Sequence, residues 1–481
     1  MSTTTDIPHP TPYFYFSAYS LLQENRLQAF KRAKGICVFL CGFVDISRTF
    51  WNLRFWPRIS LRMSAATKNV HGRGWEFQIF GLSNRKEFIS ANIPLTRFSM
   101  NSRKIIWLLS FLSFIVYAVS ATEIGPALSE IRSEFMLNET IAGVLASLQS
   151  LAGVLAILGG VLSDIFGKMR LVSFSLILMG LGTLAIFSSP HIWILAVALF
   201  IFGSGTGFFE ASVNAFVSEV FQDKRGMAIN LLHIGWNIGS TIGPLLAAYA
   251  ILTYGTWRFG YLLVSPFLIV LFIATWILAR GFSRNRDGKP RDRRGVDLKI
   301  ILRVLPLMLI PFLIVAAQLG LTTWLPSILT DQGVSIAGAS LTVGLFWALC
   351  GVGRLVWAPF IDRLGYWRVL VIAGGCSALL MFLATLPSPI YVRMMLWACA
   401  GFIIGPAYPT TVAWITASYP EIGGTLSGTL FTFSTLGSFA SAILVGTLFD
   451  AFGSVIAQFF FPLPILVAAL LSYLMRGIGN T

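Results

Sequence analysis

Glu210 is followed four residues later by Asn214, within an apolar stretch at 191–218 that holds no other charged residue. An acid inside such a stretch is costly to bury and is by default a functional residue. It could take up and release a proton. An amide one helical turn on would share its face and could orient it. The plainer alternative is a structural glutamate held by backbone or serine hydrogen bonds.

A second set, Asn230, His233 and Asn237, recurs at i, i+3 and i+7 of the next apolar segment. That spacing makes one polar stripe on a helix, suited to bonding across to neighbouring helices or to lining a cavity. His233 could titrate near neutral pH. Further on, Gln318, Trp324, Trp347 and Tyr408 lie in four other places along apolar segments. Rings that stack and amides that hydrogen-bond suit a sugar or another small metabolite. Trp324 could instead anchor a helix at the membrane interface. Arg354 is expected to pair with Asp362 or with backbone carbonyls, and binding of an anionic solute is the lesser reading. Glu123 precedes Gly125-Pro126 and is expected near the outer surface. Glu130, Arg132, Glu134 and Glu139 read as a solvated outer loop. Asn138-Glu139-Thr140 fits a glycosylation acceptor or a helix cap.

The elements that would position these residues are membrane helices. The chain has 481 residues, 11% of them charged, and a mean hydropathy of +0.77. Twelve apolar segments, the first at 104–122 and the last at 454–475, are long enough to span a bilayer. They form two sets. Asp164, Gly167 and Arg170 recur as Asp362, Gly365 and Arg368, 198 positions later, and eight of the eighteen glycines between Ser102 and Gly281 fall on a glycine at that offset. The chain therefore reads as an internal duplication, and parallel repeats of a six-helix unit are one architecture of secondary transporters. The expected domains are an N-terminal extension at 1–99, a bundle at 100–283, a linker at 284–299 and a second bundle at 300–481. The extension is aromatic and basic, lacks a spanning segment and is expected to be poorly ordered. It reads as an upstream addition without a part in transport; the rival is an arm binding anionic lipid.

The net charge of +15 does not indicate a nucleic-acid partner, because its position explains it. Lys168, Arg170, Lys224, Arg225, Arg363, Arg368 and the basic linker fall in one set of loops. Excess Lys and Arg mark the cytoplasmic side, so both termini are expected in the cytoplasm. The five cysteines, Cys37, Cys41, Cys350, Cys376 and Cys399, form no disulfide framework and read as packing residues. Metal-ligand spacing, a phosphate-binding loop and a nucleophile elbow are all lacking, so neither an enzyme nor a cofactor is expected.

Gly160-Val-Leu-Ser-Asp164-Ile-Phe-Gly167-Lys168-Met-Arg170 resembles the loop signature between helices 2 and 3 of the major facilitator superfamily. Its second copy is Ala358-Pro-Phe-Ile-Asp362-Arg363-Leu-Gly365-Tyr-Trp-Arg368. Ile165 stands where a basic residue is usual, and Ala358 where glycine is usual. The resemblance covers residues 100–481. It implies an all-α membrane protein of twelve transmembrane helices in two pseudo-symmetric six-helix bundles, working by alternating access. Asp164, Gly167, Lys168, Arg170, Asp362, Gly365 and Arg368 would then be gating residues, with more of the gating in the first copy. Helices 1, 4, 7 and 10 would surround the cavity, which adds Tyr117 to Glu210, Gln318 and Tyr408. Gly203 to Asn214, Asn230, Gly243-Pro244 and Tyr408-Pro409-Thr410 are similar to the fucose/glucose–proton symporter branch.

The resulting expectation is a monomer in the cell membrane that moves a small sugar-like solute, with proton coupling through Glu210 and Asn214. The substrate contacts would be Tyr117, Asn230, His233, Asn237, Gln318, Trp347 and Tyr408. One alternative is a drug/proton antiporter, since Gly239-x-x-x-Gly243-Pro244 resembles the antiporter signature, although Ala247-Ala248 replace its closing glycines. Another is a non-transporting receptor on a transporter scaffold.

Overall fold

The structure, a computed structural model, describes residues 100–221, 225–280, 298–418 and 423–477. Expectations for the 1–99 extension, for most of the linker and for the side chains of Asp164 and Asp362 lie outside the described residues.

Among the described residues, twelve helical segments follow one another. The first half contains α1 (Met100–Thr122, continued by Ile124–Phe135), α2 (Glu139–Gly153, continued by Ala156–Phe166), α3 (Lys168–Phe187), α4 (Ile192–Val220), α5 (Arg225–Tyr254) and α6 (Arg258–Arg280). The second contains α7 (Leu298–Asp331), α8 (Ile336–Leu364), α9 (Tyr366–Thr385), α10 (Ile390–Ile404, continued by Ala407–Ser418), α11 (Gly423–Phe452) and α12 (Ser454–Ala457, a short 3-10 turn, then Pro462–Leu474). Eleven of the twelve are long and apolar enough to cross a membrane. The exception is α5, whose Asn230, His233, Asn237 and Pro244 dilute its apolar content.

The first span outruns its sequence boundary. Pro126 has no N–H to give the Thr122 carbonyl, so the helix breaks at Glu123 and resumes through Phe135. What reads as an outer loop is thus helical, and of its charges only Glu130 is simply exposed. Glu134 receives both Arg258 guanidinium nitrogens, at 2.5 and 2.7 Å, and the Trp257 indole N–H at 3.0 Å. Arg132 pairs with Glu139. Asn138 caps α2 by accepting the Ile141 N–H at 2.9 Å.

The duplication is visible in the backbone. Gly167 and Gly365 have φ of 95° and 81°, and Gly255 and Gly453 have φ of 69° and 80°. Both pairs stand at the 198-residue offset. A left-handed turn admits glycine without strain, so the repeated glycines place the same tight turns in both halves.

Packing within each half joins α3 to α4 and α6, α1 to α5, α7 to α11, α8 to α10, and α9 to α12. Between halves, α2 lies on α11 and α5 on α8. The molecule therefore has a signature end, carrying the Gly167 and Gly365 turns, and an opposite end where α1 meets α2.

Candidate functional site

At that opposite end the two halves close on each other. Gly125 lies directly against the Thr322 carbonyl of α7, and Gly143 against the Ala442 carbonyl of α11. Any side chain at either position would meet backbone. Asp450, at the end of α11, accepts the backbone N–H groups of Glu139 at 2.8 Å and Thr140 at 2.7 Å. It thus satisfies free N–H groups of α2 from the other half of the molecule. Trp324 is fully buried here and gives its indole N–H to the Ala442 carbonyl at 2.9 Å. It is thus packed inside this closure rather than anchored at the membrane interface.

Beneath this closure, ring contacts run from one half to the other. Phe209 meets Tyr117 edge-on, with centroids 5.6 Å apart; Tyr117 meets Trp236 at 5.1 Å, and Trp236 meets Trp347 at 6.0 Å. Trp347 is 2% exposed and donates to the Thr322 hydroxyl at 2.9 Å. Gln318 is also buried, and its Nε2 has no hydrogen-bond partner. Asn237 donates to the Trp347 carbonyl at 3.5 Å, while its Oδ1 is unpartnered. Unpaired buried polar atoms are uncommon.

Glu210 is 5% exposed on α4. Asn214 donates its side-chain amide to Glu210 Oε2 and to the Glu210 carbonyl, both at 3.0 Å. The Glu210 carboxyl is near enough to Tyr117 of α1 and Tyr408 of α10 to act on both electrostatically. The acid thus stands between the halves, facing hydroxyls from each.

Arg354 crosses the same interface. Its Nε donates to the Gly405 carbonyl at 3.2 Å, and Nη1 to the His233 carbonyl at 3.5 Å. In an unbroken helix the Gly405 carbonyl would accept from residue 409, which is proline; the guanidinium takes the vacated acceptor. Both described partners are carbonyls, so neither neutralises the arginine.

The stripe on α5 does not act as one surface. Asn230 is exposed, the His233 ring packs edge-on against Phe114 at 5.0 Å, and Asn237 turns to α8. Tyr117, Glu210, Asn214 and Tyr408 come together. Gln318, Trp347 and Asn237 form a separate layer under the closure, and Asn230 joins neither group.

At the signature end, Lys168 pairs with Glu219 near the end of α4. Arg170 is exposed, while Arg368 bonds the Leu364 carbonyl at 3.2 Å and lies over the Trp367 ring. Sequence reasoning missed Glu219, Asp450 and Trp236. Asp450 acts on residues more than 300 positions away, and no local pattern announces that pairing. Sequence reasoning placed Glu123 near the outer surface; the residue does lie beside the closure, but its carboxyl is fully buried there.

The Major Facilitator Superfamily family model matches residues 106–442 and 333–478. The chain is 25% identical, over 74% of its length and 90% of the relative's, to a cis,cis-muconate transport protein of Acinetobacter baylyi. It is 27% identical, over 56% of its length and 66% of the relative's, to a fosmidomycin resistance protein of Escherichia coli. Its fold is similar to the crystal structure of a bacterial homologue of the human lysosomal transporter Spinster, in an inward-facing, unoccupied conformation. The TM-score is 0.62 at 13% identity, covering 79% of this chain and 97% of that one. With a matching family model, repeated signature turns and paired six-helix halves, the chain belongs to the major facilitator superfamily and is a multi-pass membrane transporter rather than an enzyme.

Proposed function

We propose that this transporter is a proton-coupled symporter importing a small polar organic solute, acting as a monomer in the cell membrane with both termini in the cytoplasm. The observation that carries proton coupling is Glu210, a buried acid between the halves with Asn214 as its amide partner. Leaving it ionised there is costly without a counter-charge, so binding a proton is the simplest way for it to pass through the cycle.

Orientation follows from charge. The basic signature loops are assigned to the cytoplasm, which makes the Asp450–Thr140 closure the outer gate and this conformation inward-facing. A sugar-like solute is supported by the rings of Tyr117 and Trp236 and by the free amide of Gln318. A second reading, a solute bearing a carboxylate, is favoured by Arg354, whose described partners leave its charge unneutralised. The relative named for muconate carries an organic anion, in keeping with that reading.

Counterflow in proteoliposomes across sugars and organic acids tests the assignment. Exchange of one solute class identifies the substrate, and loss of that exchange in Arg354→Gln identifies an anion. Absence of any solute-specific exchange would support the receptor reading instead. Proton-driven expulsion of apolar compounds would support the drug antiporter.

A further inference from the structure

Glu123 occupies the break in α1, fully buried, and neither carboxyl oxygen has a hydrogen-bond partner. Oε2 lies against Gly260 of α6, where even a Cβ would collide with it. The Tyr261 hydroxyl, also buried and also without a partner, is near enough to interact electrostatically with it. Two residues along the chain, Gly125 makes the backbone contact with Thr322 that joins α1 to α7.

We propose that Glu123 is a second proton-binding site, separate from Glu210, and that a proton on it is a condition for closing the gate at Gly125 and Thr322. The groups around it explain why. Tyr261 is the titratable group facing it from α6. Ala247 of α5 lies against Gly260 beside it, Thr322 of α7 lies against Gly125 with its hydroxyl committed to the Gln318 carbonyl at 2.8 Å, and the Gln149 amide of α2 donates at 3.0 Å to the Ala121 carbonyl, two residues before Glu123. The guanidinium of Arg258, two residues before Gly260 in α6, is taken by Glu134. No described cation is available to Glu123, and an ionised carboxyl in that setting would be a buried charge without compensation. A metal cation would need a shell of several oxygens, and among the described residues no cluster of three or more His, Cys, Asp or Glu could hold one.

The coupling to the gate follows from geometry. Glu123 and Gly125 share one turn of chain beside the Pro126 break, so a movement of that turn that withdraws Gly125 from Thr322 also draws the carboxyl away from Gly260. Water admitted there lets Glu123 release its proton, and the ionised form resists being buried again. The proton is bound in the closed state and released in the open one. Rising pH on the gate side therefore favours opening, and falling pH favours closure.

The test uses spin labels on Met136→Cys and Tyr391→Cys, exposed by 91% and 66% at the gate end of the two halves. The five native cysteines are replaced, and the full chain is in lipid nanodiscs. The distance distribution is expected to move to longer values as pH rises, and Glu123→Gln to hold the short distance at every pH. Glu123→Ala, which removes the carboxyl without adding an amide, is expected to abolish the same pH response. An unchanged pH response in both variants would overturn the proposal, as would a response that follows sodium at constant pH. The inference stands apart from the role given to Glu210. Its pH response is expected to survive in Glu210→Gln, and its loss there, with Glu123 intact, would assign the titration to Glu210 and overturn the proposal.

Discussion

Glu210 and Tyr408 stand 198 residues apart at matching places in α4 and α10, and the same offset relates Asn214 to Val412, Lys168 to Tyr366, Glu219 to Ala417 and Arg354 to Ala156. The backbone of the two halves repeats, down to left-handed glycines at matching turns. Outside the repeated Asp and Arg of the signature turns, the charged chemistry does not. The N-terminal half holds the acid of the central site and the ion pair at its signature turn. The C-terminal half holds the bridging arginine and, through Asp450, the gate carboxylate. Duplication thus accounts for the scaffold and its turns, and divergence between copies accounts for what is bound and what is latched.

The sharpest way to break this comparison is to stop the halves from meeting. Gly125→Val would press its side chain on the Thr322 backbone. Overpacking of that kind costs about 1–3 kcal/mol, so solute exchange is expected to fall about tenfold or more in a counterflow assay. Next come the repeated turns. Gly167→Ala and Gly365→Ala each force a Cβ into backbone of positive φ and extended ψ, at about 1–3 kcal/mol. Similar losses of thermal stability in both would support equivalent scaffolds. A loss confined to one would show that the backbones are not equivalent in energy.

Asp450→Ala removes an acceptor shared by two N–H groups of α2. The loss of such a cap costs about 0.5–2 kcal/mol. It is expected to populate the gate-open form, read as a longer distance between labels at residues 136 and 391. The smallest effect is expected from Lys168→Ala. Its pair with Glu219 is partly exposed, the two side chains being 20% and 40% accessible, and such pairs contribute about 0.2–1 kcal/mol. A double-mutant cycle of Lys168 and Glu219 in a conformational assay should return a coupling of that size, whereas Tyr366 and Ala417 should return none. An equal coupling in the second pair would remove the asymmetry argued here.

Much of the architecture was legible because it is periodic. Apolar runs of bilayer length, a fixed repeat offset and paired glycine turns are local or regular signals, and they led to the right fold. The central acid and its amide partner were legible because charge is scarce in such helices and four residues is one helical turn. The gate was not legible. It depends on Gly125 meeting Thr322 and on Asp450 meeting Thr140, contacts between segments far apart in sequence. The burial of Glu123 was not legible for a related reason. Gly-Pro reads as the end of a helix, but here the chain breaks, continues for three more turns and keeps the acid inside the bundle. The α5 stripe was read from helical spacing alone, whereas burial divides its members among solvent, α1 and α8.

The central claim is that the acid present in only one copy couples proton movement to the solute. The direct test is Glu210→Gln in proteoliposomes carrying an imposed proton gradient, with Tyr408→Phe as its counterpart in the other copy. The account predicts that Glu210→Gln retains solute exchange within about threefold of the parent, while gradient-driven accumulation falls by tenfold or more, a loss of at least about 1.4 kcal/mol of coupling. Tyr408→Phe should keep accumulation. Undiminished accumulation in Glu210→Gln would contradict the account.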